Sequence, residues 1–243
     1  MRRPRRTLPC LFIGLLLVSI LVAAYFVYPW MRSGVGRVKQ LGEWLNNPSA
    51  HTDWAIAAGE RCGEAPFILP TNGYVGFIWG DSFRPGHRHQ GIDIFGGEAP
   101  GKTPVMAAHA GYLSRLPDWK STVIIRIPAD PLDPNQQVWN YYTHMADQNG
   151  SSYISPEFPP GTREVFVEQG TFLGYQGDYS GDPDNPVGVH LHFSIVQDDG
   201  QGSFRNELEI RNTLDPSPYL GLPLNENRNP EGIAVCPSME GSS

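Results

Sequence analysis

The chain has 243 residues, enough for one substantial domain plus a flanking segment, and its 40% hydrophobic and 11% aromatic content suffices for an ordinary packed core. Seven basic residues and no acidic ones occur up to Lys39, leaving 11 basic against 25 acidic beyond it, a formal charge of −14. Such a surface repels phosphate backbones and argues against nucleic acid as a partner. The 27 glycines and 23 prolines punctuate the chain at short intervals, as strands joined by turns require.

In chain order, Arg2, Arg3, Arg5 and Arg6 precede a charge-free stretch from Thr7 to Met31. A helical membrane span needs roughly 20 apolar residues. Ala23 and Ala24 run straight into Tyr25, Phe26, Val27 and Tyr28 instead of ending at a cleavage site. The expectation is an uncleaved single-pass anchor over residues 9–30, a basic cytoplasmic tail over 1–8, and everything beyond on the outer side of the cell membrane. Residues 31–61 read as a connector, with a short helix around Val38 to Leu45 broken by Asn46, Asn47, Pro48 and Ser49. The domain proper is placed at 62–220, with 221–243 as a Pro-rich tail. Cys62 and Cys236 bracket the domain; an oxidising compartment would permit a disulfide between them, which spacing alone does not decide.

Strand-like segments follow from Gly73 to Val196, among them Ser121 to Ile127, Val138 to Thr143 and His190 to Val196, rich in β-branched and aromatic residues. The fold class expected is all-β: an antiparallel sheet or sandwich-like domain curled around a metal-bearing groove.

Four of the seven histidines fall into patterns with a chemical reason. In His89-Gln90-Gly91-Ile92-Asp93 an extended chain puts His89 and Asp93 on one face, with Gly91 between them leaving room for an ion. In His190-Leu191-His192-Phe193 two imidazoles project together while Leu191 and Phe193 turn inward. Each pattern alone is weak, since His87-Arg88-His89 has the same spacing as His190 to His192, and His144 in a tyrosine-rich strand, taken alone, reads more readily as a structural histidine bonded to a neighbouring tyrosine.

Taken together and in order, these segments resemble the lysostaphin and LytM type of zinc metallopeptidase, which cleaves peptide bonds in bacterial peptidoglycan. The resemblance runs through Ser82-Phe83-Arg84, His89 to Asp93, Thr103 to Ala108 with Gly111, Tyr142-Thr143-His144-Met145, Gly170 to Gly177, and His190 to Phe193, about half the chain. It implies that His89, Asp93 and His192 bind one zinc ion and that His144 and His190 are catalytic histidines that do not. Two imidazoles and one carboxylate would leave zinc a net charge of +1 and a position for water. The activity implied is a zinc metalloendopeptidase acting on peptidoglycan peptides; the alternative is a catalytically silent relative that binds or regulates other wall hydrolases. Two insertions, Pro128 to Gln137 and Gln148 to Arg163, flank the strand with His144 and are expected to wall the substrate groove.

Overall fold

The computed structural model describes residues 8–82, 87–229 and 232–236, with side chains from 13–23, 25 and 37 onward. It contains a long helix α1 (Leu8–Asn46), eleven strands and a short helix α2 (Ser217–Leu220). The strands are β1 (Ala55–Ile56), β2 (Gly73–Phe77), β3 (Ile92–Phe95), β4 (Pro104–Met106), β5 (Gly111–Ser114), β6 (Val123–Ile127), β7 (Val138–Thr143), β8 (Val165–Val167), β9 (Phe172–Tyr175), β10 (Leu191–Gln197) and β11 (Thr213–Leu214).

Nine strands form one sheet in the order β1-β2-β3-β10-β7-β6-β5-β8, with β11 added beside β10, and β4 pairs β9 in a second sheet. Every ladder is antiparallel. The expected antiparallel β architecture is therefore present. β10 lies central, paired with β3 on one side and β7 on the other.

Alternation along these strands sorts the two faces of the large sheet. Ile92, Ile94, Tyr142, Leu191, Phe193 and Ile195 enter the main core together with Val105 and Leu173 of the small sheet. Each fully buried aliphatic side chain contributes about 1.5–3 kcal/mol by leaving water. The intervening residues Asp93, Thr143 and His192 therefore lie on the opposite face, and the register pairs His192 with both Asp93 and Thr143. The metal-ligand candidates come together because one hydrophobic face is buried beneath them.

α1 departs from the sequence expectation. The segment expected as a spanning helix over 9–30 and the helix expected at Val38 to Leu45 are one continuous helix ending at Asn46, just before Pro48. Among the described residues, no helix is long and apolar enough to cross a membrane. This corrects the single-pass anchor in the cell membrane and the extracytoplasmic placement that rested on it. The apolar stretch continues without a helical break into the segment with Arg37, Lys39, Gln40 and Glu43, and that end docks on the domain. The basic tail lies outside the described residues apart from Leu8.

The docked end sits on the site-bearing face of the sheet. Trp44 packs with Tyr74 and Phe95, and its Nε1–H donates to the Phe95 carbonyl at 2.8 Å. The Tyr74 hydroxyl donates to Gln40 at 3.0 Å. Arg37, fully buried, pairs with Asp81 at 3.4 Å and donates to the carbonyls of Gly232 and Asn229.

Past Asp215 the chain packs back onto the domain, with Tyr219, Leu220, Leu222, Leu224 and Ala234 all in the main core. Cys62 and Cys236 form a disulfide with their Cα atoms 5.1 Å apart, closing a separation of 174 residues.

Candidate metal centre

His89 precedes β3, Asp93 lies within it and His192 within β10. All three are buried, at 4%, 7% and 8% exposure, so each polar atom needs a partner. The Nδ1–H of His89 donates to the Ile78 carbonyl at 3.1 Å, which leaves its Nε2 as a lone pair. That Nε2 faces Asp93 Oδ1 at 3.1 Å and His192 Nδ1 at 3.1 Å. His192 Nδ1 is in turn 2.8 Å from the same Asp93 oxygen. Three acceptor-type atoms thus converge on one point, with room for a single proton among them at most.

A tetrahedral zinc ion with ordinary bonds to nitrogen and oxygen holds its ligand atoms about 3.3 Å apart. The triangle of 2.8, 3.1 and 3.1 Å fits that within a few tenths of an ångström. Among the described residues these three form the one cluster of side chains disposed to hold a metal ion. His87 lines the same cleft, but it is no member of the triangle.

The local chain geometry explains how each residue arrives. Gly91 does not leave space for an ion, as the spacing suggested. A Cβ there would collide with the Phe193 carbonyl and approach Ser194 Cβ to 2.8 Å. Its role is to let the chain leading into β3 lie against β10, which brings His89 and Asp93 to His192.

His144 directly follows β7 at φ 69°, a left-handed conformation rare for a residue with a side chain. In an unbroken strand Thr143 and His144 would face opposite sides; with this kink both line the cleft. The Nδ1–H of His144 donates to the Tyr179 carbonyl at 2.7 Å. Gly177 permits that approach, since a Cβ would strike the Ala146 carbonyl and crowd that of His144 at 2.6 Å. The Nδ1–H of His190 donates to Gly188 at 2.5 Å, and its Nε2 stands 3.6 Å from Asp93 Oδ1. The rings of His144 and His190 lie 4.5 Å apart, and His190 stacks on Phe95 at 4.9 Å. All five residues singled out in the sequence are therefore gathered in one place.

Their electrostatics divide them. Burial pushes Asp93 up, but the surrounding His89, His190 and His192 outweigh it and hold the carboxyl well below the usual carboxylate range. Burial pulls His144 down to about 3, reinforced by His190 and His192. Burial also lowers His190, against the opposing pull of Asp93. His192 goes the other way, raised to about 10 because Glu207 and Asp93 overcome the cost of its burial.

Glu207 is the residue that sequence patterns missed. Its Oε1 accepts from His192 Nε2 at 2.8 Å and from the Ser194 hydroxyl at 3.1 Å. It lies 15 residues beyond His192 in an irregular segment, with no periodicity to place it.

The site floors a cleft of about 1100 Å³. Val38, Leu41 and Leu45 of α1 form one wall, and Ser180, Val187 and Gly188 belong to another. The insertions at 128–137 and 148–163, expected as groove walls, do not line it. Phe83 and Arg84 of the first matching segment lie outside the described residues.

No protein-family model matches the chain, and no curated protein does. Among solved structures it is similar to the antimicrobial peptidase lysostaphin from Staphylococcus simulans, at 18% identity and a TM-score of 0.39, over 60% of this chain and 48% of that one. It is similar to a putative glycyl-glycine endopeptidase LytM from Ruminococcus gnavus, at 24% and 0.35, over 56% and 47%. A putative M23 peptidase from Pseudomonas aeruginosa gives 19% and 0.38, over 76% and 62%. The likeness is to peptidases. In each case this chain spans less than two thirds of the matched protein. Likeness at this distance carries no argument about chemistry, which rests on the donor geometry of the site itself.

Proposed function

We propose that the protein is a zinc-dependent endopeptidase that hydrolyses peptide bonds of peptidoglycan. The observation that carries this reading is the triangle of His89 Nε2, Asp93 Oδ1 and His192 Nδ1 with His190 and His144 beside it. The wall-peptide substrate comes from the ordered motifs in the sequence, and the chemistry from the arrangement of these five side chains.

His89, Asp93 and His192 would hold one ion. When bound, zinc supplies a Lewis acid for a peptide carbonyl and lowers the pKa of water at its open position. The protein's own residues do the rest. The Ile78 carbonyl and the Glu207 carboxylate fix the ring orientation of the two histidine ligands. His190 and His144 each spend Nδ1–H on a backbone carbonyl, leaving Nε2 to exchange a proton with water or the leaving amine. Once protonated, either ring can donate to the oxygen on which negative charge develops. Burial keeps His144 neutral at neutral pH, the state in which it accepts a proton.

The purified chain is expected to bind about one zinc ion and to release peptide fragments from isolated peptidoglycan, read by mass spectrometry of the digest. His192→Ala or Asp93→Ala should remove both metal and cleavage, because two ligands do not hold the ion. His144→Ala should keep the metal and lose turnover. Normal digestion by metal-stripped protein would falsify the proposal, and zinc retained without cleavage of any wall peptide would favour the silent-partner reading.

A further inference from the structure

Glu207 lies outside every motif that points to the site, yet its Oε1 stands 2.8 Å from a ring nitrogen of the ligand histidine His192. We propose that Glu207 is the positioning residue for His192 and that the loop carrying it sets how tightly the site holds zinc. The inference rests on the zinc reading of the site and on no assumption about substrate.

An imidazole that binds metal through Nδ1 presents its Nε2–H on the far side of the ring. A hydrogen-bond acceptor there fixes both the tautomer and the ring orientation, and an anionic acceptor also makes the ligand nitrogen a better donor to the metal. Glu207 Oε1 occupies that position at 2.8 Å from His192 Nε2. The two histidine ligands are unequal in this respect, because His89 leans on the neutral carbonyl of Ile78.

The carboxylate is itself held in place. Glu207 is only 9% exposed, and a buried carboxylate is costly without a cationic or hydrogen-bonding partner. The Ser194 hydroxyl, two residues along β10 from His192 and on the same face, donates to the same oxygen at 3.1 Å.

The loop is anchored at both ends. After β10 the chain turns back through an Asp198–Phe204 bridge, and Phe204 packs on Trp139 and Trp119 at ring distances of 5.5 and 5.9 Å. Beyond Glu207, the Leu208 carbonyl accepts from the side chain of Gln90, the neighbour of His89, at 2.7 Å. The arm that carries Glu207 is thus fastened to an aromatic cluster at one end and beside the other histidine ligand at the other.

The test is zinc affinity of the full chain, measured by competition with a chelator, alongside melting of the metal-free protein. Glu207→Gln keeps the shape and can still accept a hydrogen bond, so it isolates the charge; a fall in zinc affinity of about 10- to 100-fold is expected. Glu207→Ala loses the bond as well and should fall at least as far, while Glu207→Asp should recover part of the loss. Glu209→Gln, two residues on and paired with Arg211 instead, should leave affinity unchanged.

A merely structural Glu207 would lower the metal-free melting temperature and leave zinc affinity alone. Wild-type affinity in Glu207→Gln, or equal losses in Glu207→Gln and Glu209→Gln, overturns the proposal while leaving the metal site standing. Absence of zinc binding by the wild-type chain overturns both. Zinc binding weakened by Glu207→Gln in a protein that cleaves no peptide overturns only the peptidase reading.

Discussion

His144 carries a backbone conformation that costs of order 1–3 kcal/mol in a residue with a side chain, and such strain persists only where surrounding structure enforces it. Here the enforcement is the close approach of the 144–146 and 177–179 segments, and the result is an imidazole turned out of the strand alternation into the cleft. Its burial gives a sharp test. With the folded-state value lowered to about 3, the ring stays neutral while the unfolded chain takes up a proton near the ordinary 6.5. The sign follows: its contribution to stability is complete above pH 6.5 and is lost progressively as pH falls toward 3. In metal-free protein the His144 ring resonances should therefore show no titration between about pH 5 and 8, where free histidine titrates. A midpoint inside that window would show that the ring is solvated and that its placement in the cleft is wrong. His192 has the opposite sign, since a value raised to about 10 contributes stability below pH 6.5 that is lost as pH rises toward 10.

Among the elements, α1 is the one whose role the sequence pattern conceals. Its last turns belong to the domain: Arg37 reaches Asp81, Asp81 Oδ2 accepts from the Ile78 N–H at 2.9 Å, and the Ile78 carbonyl holds His89. The Asp81 carbonyl also accepts from the His89 N–H at 2.7 Å. Removing one member of a buried ion pair strands the other, so Arg37→Ala should cost about 3–5 kcal/mol, measured by denaturant unfolding. Leu45→Ser on the same helix, at a side chain 47% exposed, should cost under about 1 kcal/mol. Equal effects at the two positions would mean that the pair does not hold the helix to the domain. Helical periodicity could place residues 38–45 on a helix, but not the charged partner 44 residues away that docks it.

At the scale of the whole molecule, the Cys62–Cys236 bridge fastens the C-terminal segment, whose Asn229 and Gly232 carbonyls receive Arg37, to the start of the strand-rich region. Replacing Cys236 with Ser should lower stability by about 2–5 kcal/mol under non-reducing conditions, read as a drop in melting temperature that disappears when both proteins are compared reduced. The sequence by itself determined the strand-rich character and the face on which the site lies. Two-residue alternation buries Ile92, Ile94, Leu191 and Phe193 and so turns Asp93 and His192 to the other side, a consequence of local stereochemistry. The ordered resemblance of the sequence motifs picked out the five side chains that converge, whereas short spacings account only for the His89–Asp93 and His190–His192 pairs. What only the tertiary structure decided depends on contacts between segments far apart in the chain. β10 lies between β3 and β7, Gly91 serves the approach of two strands, and α1 covers the site face as a continuation of the apolar stretch. Glu207 completes His192 from a loop with no repeating pattern. Such contacts are fixed when segments remote in sequence are packed together, and no local periodicity records them.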